Sequence, residues 1–316
     1  MSILAATAAN APDQHLRQVL SGTRAQLQRS ARLGQALEMA IWANGDDEVH
    51  YQRQGHHTLS VYLHGGEGSQ LQGEAQARGG AGRFCIFPAQ HESHWRVRAP
   101  VQFLHLYVSD LAWADRVVRL LDAEPRSHTL VPHIYAENAA LCHWAQQVDQ
   151  LDWQDAGQRW QADWLSQQVL DQLVLKSATP QRRAALQKPL GGLASAARRQ
   201  VLDYVDAHLA DSKALRLGAL AQVARLSEFH FARMFAQSMG CTVHDWVLQR
   251  RLARVQQLLR GAQGRRAAPT LAQLAAATGF SSASHLLRCF SAHCGATPAQ
   301  FARWQPLPGA AVLMGA

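Results

Sequence analysis

From His56 to Ser109 the chain alternates. Runs such as Thr58–His64 and Gln102–Val108 put polar and apolar residues on opposite sides with a period of two, and Gly65–Gly66 and Gly79–Gly82 separate them. That texture predicts short antiparallel strands in a small β unit, a sandwich or barrel, with Pro88 and Pro100 where strands end. Along the last run Phe103, His105 and Tyr107 share one face while Leu104, Leu106 and Val108 share the other. The alternation leaves open which face is interior. Upstream, residues 12–43 read as partly helical on the mixed spacings of Leu16, Val19, Leu20, Leu27 and Leu33.

After Leu111 the period becomes helical. One helix is expected from about His133 to Leu151, following Pro132. Another is expected from about Ala156 to Ser177, carrying Trp160, Trp164, Leu165, Val169, Leu173 and Val174 and ended by Thr179-Pro180. Its apolar residues fill more than one stripe, which predicts one face against the β unit and one, including Val169 and Leu173, against a partner chain. Residues 178–193 mix proline, glycine and basic side chains and read as a linker. From Ala194 to Trp304 the pattern is helical throughout, and residues 306–316 read as a disordered tail.

The helical region contains a repeat. Leu220–Val247 resembles Leu271–Ala302, with His230 and His285, Arg233 and Arg288, Phe235 and Phe290, Gly240 and Gly295, and Thr242 and Thr297 each 55 positions apart. Leu220 and Ala221 pair instead with Leu274 and Ala275, so the second copy has one extra residue in its turn. Each copy parses as helix, tight turn, helix. Ser227 and Ser282 are N-cap residues. Phe231, Met234 and Phe235 in one copy, and Leu286 and Phe290 in the other, recur at core spacing. That turns Phe229, Ala232 and Arg233 outward in the first copy and Ala283, Ser284, Leu287 and Arg288 outward in the second. Gly240 and Gly295 suit left-handed helix stops, Thr242 caps the next helix, and Thr297 with Gln300 forms a capping box. The helix from Thr242 to Leu259 is a rigid spacer between the copies, with Arg250, Arg251 and Arg254 along it. Arg251 can alternatively serve as an internal charge partner.

Charge adds weight to this repeat. The chain is +8 overall, but Gln181–Gln305 holds 17 Lys+Arg against 5 Asp+Glu, a net of +12. The remainder holds 14 basic and 18 acidic residues. A chain divided in this way has one part suited to a polyanion. The second helix of a helix-turn-helix enters the major groove, where arginine reads guanine and an alanine methyl meets thymine. Five scattered cysteines without a CxxC spacing argue against a disulfide framework or structural zinc and for a reducing compartment. Neither a signal peptide nor a bilayer-length apolar run is expected, which places the protein in the cytoplasm with no membrane partner.

The motifs LAQVARLS, FARMF, Gly240-x-Thr242, Arg251-Leu252, LAQLAAATGFSS, LLRCF and Gly295–Phe301 resemble the DNA-binding domain of the AraC/XylS family of transcriptional regulators, over roughly residues 196–303. The resemblance implies two recognition helices in adjacent major-groove segments of promoter DNA. It places base-reading positions on Phe229, Ala232 and Arg233 and on Ala283, Ser284 and Arg288, with Leu287 also outward. Two departures stand out. Arg225 occupies the first turn where the family has glycine, so either a left-handed arginine costs about 1 kcal/mol or the turn is built differently. His285-Leu286 replaces an aromatic pair.

The N-terminal part is similar, in order and spacing, to the sensory half of the same family. This implies an α+β chain: a cupin-like β-barrel with flanking helices over 1–177, then the linker, then an all-α domain with two helix-turn-helix units over 194–305. It also implies an effector inside the barrel, a homodimer, activation of transcription and RNA polymerase as a partner. The side chains of Trp95, Phe103, His105 and Tyr107 suit a pocket for a small molecule of mixed polarity, or simply pack the interior. The competing enzyme reading is a cupin-type metalloenzyme with a DNA-binding appendage. Its nearest ligand pattern, His91-Glu92-x-His94, lacks the HxH pair and alternation places its histidines on opposite faces, so neither a metal nor another cofactor is expected. A third reading, a DNA binder without sequence preference, conflicts with two defined recognition helices.

Overall fold

The computed structural model describes residues 23–34, 37–52, 55–73, 78–177, 191–262, 269–294 and 297–303. Residues 178–190 of the expected linker over 178–193, the tail and Gly295 lie outside the described residues. The chain forms two compact units. One comprises residues 1–32, 38–107 and 132–153, and the other residues 33–37, 108–131 and 154–316.

The first unit is mainly β. Its strands are β1 (Gln26–Leu33), β2 (Leu37–Asn44), β3 (Asp47–Gln52), β4 (His56–Gly65), β5 (Ser69–Leu71), β6 (Arg83–Phe87), β7 (Glu92–Val97), β8 (Val101–Ser109) and β9 (His133–Glu137). A six-stranded sheet runs β1-β2-β8-β4-β6-β9 and a three-stranded sheet β3-β7-β5. Both are open among the described residues, and the two sheets share one interior. The register sets that interior. Val49 of β3 lies opposite Trp95 of β7, and Thr58 of β4 opposite Phe87 of β6. Along β7, Ser93, Trp95 and Val97 are buried while Glu92, His94 and Arg96 are exposed, as period-two side chains require. Trp42, Tyr62, Phe87, Trp95, Phe103 and Tyr107 meet in the shared core.

Two expectations are corrected here. The described part of 12–43 is β1 and β2, not helix. β2 (LEMAIWAN) is buried on both faces, so it shows no alternation and mimics a helical run. Residues His133–Glu137 pair with β6 as β9, and the helix begins after Asn138, whose side chain accepts from the Leu141 amide. The strand β8 resolves the open question of its faces. Phe103 and Tyr107 belong to the shared core, while Leu104 and Leu106 are fully buried on the opposite side.

The second unit is helical apart from short strand ends. Its helices are α1 (Asp110–Leu121), α3 (Ala156–Ser177), α4 (Ser195–Ala207), α5 (Leu217–Val223), α6 (Glu228–Met239), α7 (Val243–Gly261), α8 (Leu271–Thr278), α9 (Ala283–Cys294) and α10 (Pro298–Arg303); α2 (Ala139–Asp149) belongs to the β unit. Two apolar cores hold this unit. Val201, Leu220, Phe231, Phe235 and Trp246 form one with Ala114 of α1. Leu252, Leu274, Phe290 and Phe301 form the other with Trp160 of α3. The long α7 enters the first core with Trp246 and the second with Leu252, Val255 and Leu259, which is the spacer role expected of it. Val169 and Leu173 of α3 are buried within the chain at 5% and 7% exposure, so they are not available to a partner chain as expected. Among the described residues no helix is long and apolar enough to cross a membrane.

Candidate nucleic-acid interface

Each half of the repeat builds its second helix in the same way. Ser227 accepts from the His230 amide and starts α6. Phe231 and Phe235, both fully buried, anchor it. Gly240, at φ 71°, stops it, and its amide returns to the Ala236 carbonyl. Thr242 then accepts from the Asp245 amide at 3.2 Å and starts α7. In the second copy Ser282 accepts from the His285 amide at 3.1 Å, Leu286 and Phe290 are fully buried, and Thr297 with Gln300 closes the expected capping box. A second capping box, Thr270 with Gln273, starts α8 and escaped the sequence reading.

The turns are also equivalent. Arg225 has φ 55° and Gly279 has φ 76°. The following amides, of Leu226 and Phe280, reach the carbonyls of Ala221 and Ala275 at 3.0 Å each. So Arg225 does adopt the left-handed conformation that glycine occupies in the second copy. One extra residue, Ser281, follows in the longer turn.

This framework leaves one face of each second helix uncovered. On α6, Phe229 is 80% exposed, Arg233 is exposed one turn later and Ala232 is half-buried between them. On α9, Ser284 and Arg288 are exposed, Leu287 is 37% exposed and Ala283 is half-buried. Phe229 is the most exposed of the large apolar side chains among the described residues, on a helix otherwise anchored by buried phenylalanines. The spacer arginines divide by role. Arg251 donates to the Leu209 carbonyl at 3.0 Å and to Ser212 Oγ at 3.1 Å, so it is an internal partner. Arg250 grips Asp206 with Nε at 2.7 Å and Nη2 at 2.6 Å. Arg254 is exposed.

The four side chains expected in an effector pocket lie in the β unit. All are buried. Trp95, Phe103 and His105 line one cavity of about 30 Å³ together with Asn44, Ser60 and Ser69. That is room for a water-sized occupant. Tyr107 stands behind them, its hydroxyl accepting from Trp42 Nε1 at 2.9 Å and bonded to His105 Nδ1 at 2.9 Å. Burial pushes the His105 pKa down to about 3, helped by nearby His56, and holds Tyr107 well above its ordinary value. His105 is therefore neutral near pH 7. His91 and His94 do not converge. His94 stacks on His50 across the strands, while His91 stacks on Phe87.

Comparison with known proteins accords with the double helix-turn-helix geometry. Residues 220–303 match the family model described as a helix-turn-helix domain. The chain is 33% identical over 99 residues to the probable transcriptional regulator LumQ of Photobacterium leiognathi, a stretch covering 31% of this chain and 37% of that protein. It is 27% identical over 101 residues to the probable transcription factor PqrA of Proteus vulgaris, covering 32% of this chain and 79% of that protein. An AraC-type DNA-binding domain-containing regulator from Chromobacterium violaceum aligns in structure over 36% of this chain and 96% of that one, at 24% identity and a TM-score of 0.32. The C-terminal segment is a helix-turn-helix DNA-binding domain.

Proposed function

We propose that the chain is a transcriptional regulator that reads two successive major-groove segments of promoter DNA, one with α6 and one with α9. The observation that carries this reading is the pair of equivalent helices. Each is fixed by its own buried phenylalanine and serine cap, and each presents an exposed arginine at the same place, Arg233 and Arg288. A guanidinium there is suited to the O6 and N7 acceptors of guanine, and Ala232 and Ala283 to a thymine methyl. Phe229, Ser284 and Leu287 complete the two reading faces. The net charge of +12 over Gln181–Gln305 supplies the sequence-independent part of the affinity.

Within this reading residues 1–177 are a cupin-like sensory and dimerisation part, 178–193 the linker and 194–305 the DNA-binding part of a cytoplasmic activator that works with RNA polymerase. The small-molecule effector is assigned to the β interior, beside Trp95, Phe103, His105 and Tyr107. An organic ligand larger than water needs the rings around that cavity to move. Exposed Leu120 of α1 and Leu175 of α3 are apolar groups on which a homodimer contact can be built. The divergent directions of His91 and His94 favour this binding protein over the metalloenzyme reading.

Selection of bound duplexes from a random library by the full chain, at fixed salt, tests the proposal. Enrichment of a site with two conserved elements about one helical turn apart is the expected result. Binding that selects no sequence would overturn it.

A further inference from the structure

In the helical unit, α1, α7, α8 and the turn after α4 enclose a recess of about 340 Å³. Small side chains such as Ala253 and Ala277 leave the space, and Arg119, Arg250 and Arg254 bring charge to it. The nearby carboxylates are already committed. Asp206 is held by the two-pronged contact from Arg250. Asp115, almost fully buried, accepts from Arg250 Nη1 at 3.2 Å and Arg119 Nε at 3.0 Å. That leaves Arg119 Nη2 buried with no hydrogen-bond partner among the described residues. Arg254 is exposed and donates to Gln257 Oε1 at 3.3 Å.

A buried guanidinium nitrogen without an acceptor is costly, and an oxygen anion is the natural acceptor for a planar donor. Arg119, Arg250 and Arg254 line the recess with Asp206 as the one lining acid among the described residues, while Asp115 serves Arg119 and Arg250 and Asp171 pairs with Arg116, so a net positive charge remains. Burial lowers the pKa of Arg119; Arg250 and Arg116 push the same way while Asp115 opposes them. All of these features would be relieved by one negative group placed between α1 and α7.

We propose that this recess binds a small organic anion, with its carboxylate or phosphate group on Arg254, Gln257 beside it, and the Arg119 guanidinium turning its buried Nη2 outward to meet it. The volume suits a metabolite and not a polymer. The site has a regulatory consequence that rests on the transcriptional reading. Its walls join α1, which lies outside the matched segment 220–303, to two helices inside it: α7, which links the two helix-turn-helix cores, and α8, which belongs to the second. An anion held there fixes α1 against the spacer helix and biases the DNA-binding unit toward one arrangement.

The test is calorimetric titration of sodium phosphate and, separately, sodium succinate into the full chain, at constant ionic strength against chloride. One saturable site per chain is expected for at least one of the two anions, and the tighter one assigns phosphate or carboxylate. Arg254→Gln, at an exposed position that spares the fold, should weaken it about tenfold or more, as loss of a charged hydrogen bond does. Arg119→Gln should do the same. Heat no greater than that of chloride, or affinity unchanged in Arg254→Gln, would overturn the proposal. So would a result in which neither anion binds but Arg254→Gln weakens duplex binding, because Arg254 would then serve the DNA backbone. Anion binding is read without DNA, so its failure is distinguishable from failure of the transcriptional reading.

Discussion

The two turns of the repeat share a left-handed residue but respond oppositely to substitution. A Cβ placed on Gly279 would lie 2.3 Å from the Leu209 carbonyl oxygen and 2.7 Å from Arg251 Nη2. Those two groups are already bonded, since Arg251 Nε donates to the Leu209 carbonyl at 3.0 Å. Gly279→Ala therefore meets two costs. The left-handed conformation itself costs about 1–2 kcal/mol for a residue with a Cβ. Displacing the Leu209 backbone disturbs a hydrogen bond to a charged group, about 1.5–3 kcal/mol more. A destabilisation of about 3–5 kcal/mol is expected. Arg225 is exposed at φ 55°, so Arg225→Gly removes the first cost and breaks no buried contact. The greater freedom of glycine in the unfolded chain returns about 0.5–1 kcal/mol of that gain. A net stabilisation of about 0.5–1 kcal/mol is expected. Urea unfolding followed by far-ultraviolet circular dichroism reads both changes as midpoint shifts at constant slope. A Gly279→Ala protein within about 0.5 kcal/mol of the parent, or an Arg225→Gly protein destabilised as much as Gly279→Ala, would refute the account of these turns.

Three further outcomes follow from the packing. Asp115→Ala should destabilise the helical unit by about 3 kcal/mol, because Arg119 and Arg250 lose a buried counter-ion; a urea midpoint equal to the parent's would contradict this. The β unit should weaken in mild acid. Burial lowers the pKa of His57 to about 4 and of His105 to about 3, against 6.5 when unfolded. The unfolded chain thus binds more protons below pH 6.5, and the stability these groups confer is full above that value and falls as pH drops toward 3. Each should cost about 1.5 kcal/mol between pH 6.5 and 5, read as faster intrinsic-rate-corrected hydrogen exchange in β8, and unchanged protection would count against it. Asp163 in the helical unit works in the opposite sense. Burial raises its pKa to about 6, so its contribution is present below about pH 4 and is lost as pH rises through 6; amides of α3 should exchange no faster at pH 5 than at pH 7 after the same correction.

The C-terminal half is legible because its signals are local. Ser227, Gly240, Thr242 and the phenylalanine spacing each act within one turn of helix, and the structure uses them where the pattern places them. Arg225 shows the limit of a local signal. The sequence offers a strained turn or a different turn, and only the φ angle decides for strain. In the N-terminal half the pairing is non-local. β2 is apolar on both faces, and β9 is a strand only because β6 lies alongside it. The same limit hides which side of β8 is interior, and it hides the burial of Val169 and Leu173, since both stripes of α3 are apolar. The recess around Arg119 is not visible in the chain at all, because its lining comes from four separated segments.

The central claim is that α6 and α9 each read bases, through Arg233 and Arg288. The direct measurement is the affinity of Arg233→Ala and Arg288→Ala for a selected site and for random duplex, at one salt concentration. Each substitution should lower affinity for the selected site by about 1–3 kcal/mol beyond its effect on random duplex, and each should relax preference in a different half of the site. Equal losses on both duplexes would mean that these arginines touch only phosphate, and would contradict the claim.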